Sequence, residues 1–202
     1  TISEESIQRQ VIFNTETTVK FTDLAKAPEM NTSCQRLTER TEYNQAAFSR
    51  LLDGNDEMLN SYTEIDGNKV RLARCFVELS KIEQDGIKDP KTVLLLDRLY
   101  VNPSYGNLSD QFAISMLDIT LKRLEGLPEV SILLSGTAFA EAGIINKIVE
   151  AYGYRIRVIT GKYFINESKI PDKKYYDSFD GLRDVSTSTY YPFASMYLIE
   201  KK

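Results

Sequence analysis

The sequence predicts an α/β domain built on a mixed sheet, and three observations carry that reading. Asp66-Gly67 is a strong hairpin signal with β-rich runs on both sides, SYTEI before it and NKVRLARCFVELS after it. TVLLLDRLYV (92–101) is a nearly continuous apolar run, the pattern of a central strand covered on both faces. From 92 to 160, apolar strand patterns alternate with helical patterns of 3.6-residue period. Right-handed crossovers then place neighbouring strands parallel.

The elements follow in order. Residues 1–18 are polar apart from Val11-Ile12-Phe13 and read as an N-terminal arm or a first short strand. VKFTDL (19–24) alternates as a strand does. Residues 35–52 carry Leu37, Ala47, Phe48, Leu51 and Leu52 among charges, an amphipathic helix stopped by Asp53-Gly54. A short helical piece is expected at 55–60. Residues 61–80 form the hairpin, and 82–91, IEQDGIKDPK, form a loop. The strand 92–101 is interrupted by Asp97 and Arg98. In 109–125, Phe112, Met116, Ile119 and Leu124 mark a helical stripe. Asn107 or Ser109 is its expected cap, and Gly126 with Pro128 ends it.

VSILLS (130–135) reads as a buried strand, 138–154 as a second amphipathic helix closed by Gly153, and RIRVIT (155–160) as a strand. Residues 161–193 form a long tyrosine-rich connection, and ASMYLIEKK (194–202) ends the chain as an alternating strand. No repeat or linker divides the 202 residues, so a single domain spanning 1–202 is expected.

Composition narrows the function. The net charge is −4 and the basic residues are scattered, which argues against general nucleic-acid binding. The cluster Lys169, Lys173 and Lys174 sits among acids and reads as a solvated loop. No apolar run approaches the length of a membrane span, and no signal-peptide pattern opens the sequence. Cys34 and Cys75 read as buried free thiols of a reducing compartment, hence a cytoplasmic protein. There is no histidine, which removes Ser-His-Asp and Cys-His chemistry and speaks against a metal site. Acid–base work near neutral pH is left to carboxylates, tyrosine and water.

The order of elements, with the words LDRLYVNPSY, KIVEAYGY and SMYLIEK, resembles the GNAT-type N-acetyltransferases over 19–200. The resemblance implies an acetyl-CoA site. In that family a strand ending in Val-x-Pro enters an Arg/Gln-x-x-Gly-x-Gly/Ala loop whose amides hold the cofactor's pyrophosphate. Val101 and Pro103 match the approach, with Leu99 on the same strand and Tyr105 before the loop. The loop positions fall on Gly106, Asn107, Ser109 and Gln111, and only Gly106 is a glycine.

Side chains in place of glycine keep a phosphate away from the amides. Asp110 adds a negative charge where the anion would sit. The family's tyrosine acid would lie at Val149, four residues before Gly153-Tyr154, and the nearest phenol is Tyr152. By resemblance, the base is drawn from Asp97 or Glu78. The sequence therefore predicts a GNAT-like protein with a degenerate pyrophosphate loop and no cofactor, working as a binding or structural partner. The partner is another protein or a second copy, held through 161–193. The alternative is an N-acetyltransferase that uses acetyl-CoA through an atypical loop.

Overall fold

The computed structural model describes residues 11–20, 22–23, 54–134, 142–164, 175–176, 181–182 and 190–202. The helix expected at 35–52 and the cluster Lys169, Lys173 and Lys174 lie outside the described residues.

The strands are β1 (Asn14–Thr18), β2 (Asp56–Ile65), β3 (Asn68–Gln84), β4 (Lys91–Leu96), β5 (Tyr100–Val101), β6 (Ser131–Leu134), β7 (Tyr154–Phe164), β8 (Tyr175–Tyr176), β9 (Gly181–Leu182) and β10 (Tyr190–Lys201). The helices are α1 (Ser109–Leu124) and α2 (Ala142–Ala151), with a 3-10 helix over Pro103–Leu108. The main sheet runs β1-β2-β3-β4-β6-β10-β7, and β5 also pairs with β3. It is mostly antiparallel. The parallel pair is β4 with β6, Val93 opposite Ser131 through Leu96 opposite Leu134. The fold is thus mixed α/β with helices packed on the sheet, as the sequence predicts.

Several boundaries differ from the expectation. The first strand, Asn14–Thr18, falls within the expected first short strand, whereas residues 22–23 of the strand expected at 19–24 are helical. Of the stretch 55–60, residues 56–60 are strand rather than helix. β3 is 17 residues long and offers an edge that β2 follows back to Asp56, and that pairing overrides a weak local helical tendency. β3 itself runs through Gln84 into the expected loop. The turn joining β2 and β3 has positive φ at Asp66 (52°) and Gly67 (75°), the backbone that a two-residue Asp-Gly hairpin turn requires.

The strand expected at 92–101 is broken. Leu96 lies opposite Val77, but Tyr100 lies opposite Arg74, so the register advances by one residue. Asp97, Arg98 and Leu99 face only Cys75 and Phe76, which is a β-bulge. The Asp97 amide donates to the Phe76 carbonyl at 3.0 Å. The buried Cys75 thiol donates to the carbonyl oxygens of Asp97 (3.1 Å) and Phe76 (3.3 Å).

The two faces of the sheet hold two cores. Leu59, Ala73, Cys75, Val77, Leu96, Ile132, Leu134 and Ile199 pack against α1 (Phe112, Met116, Leu117, Leu121) and α2 (Ile145, Val149). On the other face Ile82, Val93, Leu95, Leu133, Ile159, Tyr163, Met196 and Leu198 form a second cluster. That second cluster is enclosed because the sheet closes on itself. The end of β3 pairs with the end of β7, Lys81 opposite Phe164 through Gln84 opposite Gly161, so β3, β4, β6, β10 and β7 make a ring.

Gly161 permits that closure. A Cβ there would lie 2.1 Å from the Glu83 carbonyl oxygen. The Ser80 hydroxyl adds a bond to the Phe164 carbonyl at 2.8 Å. One end of the ring is held by Glu200, which accepts from Lys91 (2.5 Å), Arg155 (2.9 Å) and Arg157 (2.6 Å).

The connection expected at 161–193 is shorter than the sequence suggests. Residues 161–164 extend β7, and 190–193 begin β10. Tyr163, which lies in the stretch expected as a tyrosine-rich connection, is fully buried in the ring. β8 and β9 form a two-residue ribbon inside the connection. The rest of the connection lies outside the described residues.

Candidate functional site

The candidate site lies where β4 gives way to the loop before α1. β4 and β6 run together as far as Leu96 and Leu134, and past the bulge the chain continues along β3 as β5. This junction brings the expected cofactor loop and the expected base together, in the chain and in the sheet.

The loop is not an open cradle. Asn102 accepts the Tyr105 amide with its carbonyl (2.8 Å) and the Ser104 amide with its side-chain oxygen (3.1 Å). Residues 103–108 wind into short 3-10 turns, interrupted at Tyr105, whose φ of −126° and ψ of 20° are not helical. The Ser109 amide bonds to the Gly106 carbonyl, and its hydroxyl donates to the same oxygen at 2.6 Å. This 3-10 segment, separate from α1, is capped at Asn102. This corrects the expected cap at Asn107 or Ser109: Leu108 stands at the cap position of α1 and makes no side-chain cap bond.

Asp110 lies in the first turn of α1. Leu99, Val101, Tyr105 and Leu108 turn their side chains onto the helix-side core. Gly106 and Asn107 are exposed.

The expected bases sit close by. Glu78 is fully buried and Asp97 is 2% exposed. Glu78 lies opposite Leu95 on β4 and opposite Asp56 on β2, and the Asp97 backbone is bonded to Phe76, two residues along β3. Glu78 shares its face of β3 with Phe76, Ser80 and Ile82, the face away from α1 and α2.

Sequence reasoning missed the rest of this group. Arg74, buried completely, lies opposite Asn60 on β2 and Tyr100 on β5. Its guanidinium stands over the rings of Tyr100 (4.5 Å) and Phe76 (5.0 Å). Asn60 is buried opposite it, and Asp56 is buried farther along β2, opposite Glu78. The available signal was spacing: Arg74 and Glu78 lie four apart within a strand, so they share one face of an otherwise apolar stretch. Chemically, Glu78 and Arg74 put a buried carboxylate and a buried guanidinium on one face of β3, and a buried carboxylate is the kind of group that can accept a proton.

Tyr152 is placed elsewhere. Its hydroxyl donates to Asp118 of α1, and Lys122 holds the same carboxylate at 2.7 Å. That hydrogen bond raises the Tyr152 phenol above its usual pKa, with burial adding to the effect. Tyr152 packs on the helix-side core, so the sheet lies between it and Glu78. Among the described residues, no three acidic or thiol side chains are grouped to hold a metal. No described helix is long and apolar enough to cross a membrane.

The fold is similar to that of the GNAT-type N-acetyltransferases. Arabidopsis thaliana NAA60, solved with acetyl-CoA, is 12% identical, matched over 93% of this chain and 98% of its own, with a TM-score of 0.48. A GNAT family acetyltransferase from Brucella melitensis, also solved with acetyl-CoA, is 15% identical over 85% of this chain and 100% of its own, TM-score 0.45. The ribosomal-protein-S18-alanine N-acetyltransferase of Escherichia coli is 13% identical over 94% of this chain and 93% of its own, TM-score 0.43. No family model matches the chain, and no curated protein does.

Proposed function

We propose that this chain is a GNAT-like protein that has given up acetyl-CoA chemistry and works as a binding or structural partner of another protein. One observation carries the reading. The amides of Ser104, Tyr105 and Ser109, in the loop where a pyrophosphate would be held, are bonded to the loop's own oxygens. Binding a phosphate there requires unwinding the 3-10 helix and breaking those bonds. The resulting charge-assisted contacts would then have to exceed that loss.

The degenerate loop in the sequence and the wound loop in the structure support the same conclusion by different routes. Calorimetric titration tests it. Acetyl-CoA is expected to bind more weakly than roughly 100 μM, about −5.5 kcal/mol. A micromolar constant overturns the reading.

A second reading, an N-acetyltransferase that moves an acetyl group from acetyl-CoA to an amine, is favoured by the buried pair Glu78 and Asp97 at the bulge. It would use one of them as base and Tyr152 as acid. The Tyr152–Asp118 bond weighs against it, because a phenol with a raised pKa gives up its proton less readily.

A further inference from the structure

The ring of strands closes over only part of β7. Its last residues, Gly161 to Phe164, pair with β3, but β3 ends at Gln84 and the chain turns away at Gly86, whose φ is +82°. Among the described residues, nothing pairs with the outer edge of β7 from Tyr154 to Ile159. The Asp85 amide donates to the Thr160 carbonyl at 3.1 Å, which shows that Thr160 points its hydrogen-bonding groups outward. Strand alternation then points those of Val158 and Ile156 outward too. Exposed edges of this kind pair readily with another strand.

The two faces beside this edge differ in chemistry. On the α2 side lies an apolar hollow of about 200 Å³, lined by Ile145, Ile156, Val158 and Tyr197 with Asn146 as its polar member. Val158 is 62% exposed, unusual for a valine in a paired strand. On the opposite face stand Arg155 and Arg157, 57% and 40% exposed, with Lys91 behind them. Three cations, Lys91, Arg155 and Arg157, share one carboxylate, Glu200, so this cluster carries a surplus of positive charge on a chain whose net charge is −4.

The geometry points to a docking edge for an extended acidic peptide, added as a strand alongside Tyr154–Ile159. Successive side chains of such a strand face opposite ways. Alternate apolar residues fill the hollow against Val158 and Ile156, and the acidic residues between them meet Arg155 and Arg157. Backbone bonds supply affinity, and the alternation supplies specificity. A second copy of this chain fits less well, because antiparallel pairing of two β7 strands would set arginine against arginine. The inference rests on the binding-partner reading and gives it a surface. Peptide and acetyl-CoA are titrated separately, so the failure of either is distinguishable.

The probe is a fluorescein-labelled peptide of about eight alternating valines and glutamates, long enough to span the edge, with a valine–lysine peptide as control. Fluorescence anisotropy is expected to show saturable binding of the first and none of the second. Val158→Lys should weaken binding by about tenfold, roughly 1.4 kcal/mol. Arg155→Glu should weaken it by about fivefold while leaving the melting temperature close to that of the parent, since the Arg155 pair with Glu200 is mostly exposed. Equal binding of the two peptides, or no effect of Val158→Lys, overturns the proposal. So does a chain dimer by sedimentation that Val158→Lys dissolves, because it gives the edge to a second copy.

Discussion

Replacing Gly161 by alanine tests how the sheet closes. The added Cβ would sit 2.1 Å from the Glu83 carbonyl oxygen and 3.0 Å from the Gln84 Cα, and both are backbone atoms. Contacts under 3.0 Å are essentially never made by real Cβ atoms, so β3 and β7 must part by about 0.9 Å. That movement strains the pairs from Lys81–Phe164 to Gln84–Gly161 and the bonds Ser80–Phe164 and Asp85–Thr160 on either side.

Overpacking of this kind costs about 1–3 kcal/mol. Losing one or two ladder bonds adds about 1 kcal/mol each. The stiffer unfolded chain returns about 0.4–1 kcal/mol. The net expectation is a loss of about 2–3 kcal/mol in chemical denaturation. At roughly 2–4 °C per kcal/mol, the melting temperature falls by about 4–12 °C.

Gly143→Ala is the control. Gly143 lies in α2, and a methyl group there would meet nothing within 4 Å, so alanine should stabilise by about 0.5–1 kcal/mol. A Gly161→Ala protein within about 0.5 kcal/mol of the parent would refute the seam.

Three further outcomes follow from the contacts described. Burial alone would raise the Glu200 carboxyl, but hydrogen bonds from Arg157 and Lys91 hold it at about 2. A depressed pKa stabilises the fold above the ordinary value and is lost as pH falls. Glu200→Gln should therefore cost on the order of 3 kcal/mol at neutral pH and flatten the stability curve between about pH 5 and pH 2. Tyr152→Phe removes the bond to Asp118 and should cost about 0.5–1.5 kcal/mol by denaturation while leaving any ligand binding at the bulge unchanged; an equal loss of acetyl transfer with no loss of stability would return Tyr152 to a catalytic role. Asp110→Asn should cost about 0.3–1 kcal/mol through the helix field alone, without tightening acetyl-CoA, and improved cofactor binding in that variant would show an anion site held shut by one charge.

The sequence carried the hairpin, the buried strands and both described helices because each has a local signature. Asp66-Gly67 names its own turn, and Phe112, Met116, Leu121 and Leu124 repeat at helical spacing. What stayed hidden depends on pairing between distant segments. β2 is strand because β3 is long enough to hold it. The bulge at Asp97 shows only when Val77 and Arg74 are matched to their partners. The ring closure rests on Gly161 meeting Glu83, residues far apart in the chain. Tyr163 reads as a surface tyrosine until the ring encloses it. At the site, Glu78 and Asp97 stand out in the sequence as acids within apolar strands, whereas Arg74 reads as one charge among many. Its company of Tyr100, Phe76 and Asn60 comes from three different strands.

The central claim is that the amides of Ser104, Tyr105 and Ser109 stay bonded to the loop's own oxygens. A nitrogen-15 NMR titration with acetyl-CoA reads those amides directly. The account predicts that Ser104, Tyr105, Gly106 and Ser109 shift little and without saturation up to about 1 mM cofactor, a concentration well above any specific site in the micromolar range. Saturating shifts at these amides with a micromolar midpoint would contradict it and make the loop a working cofactor site.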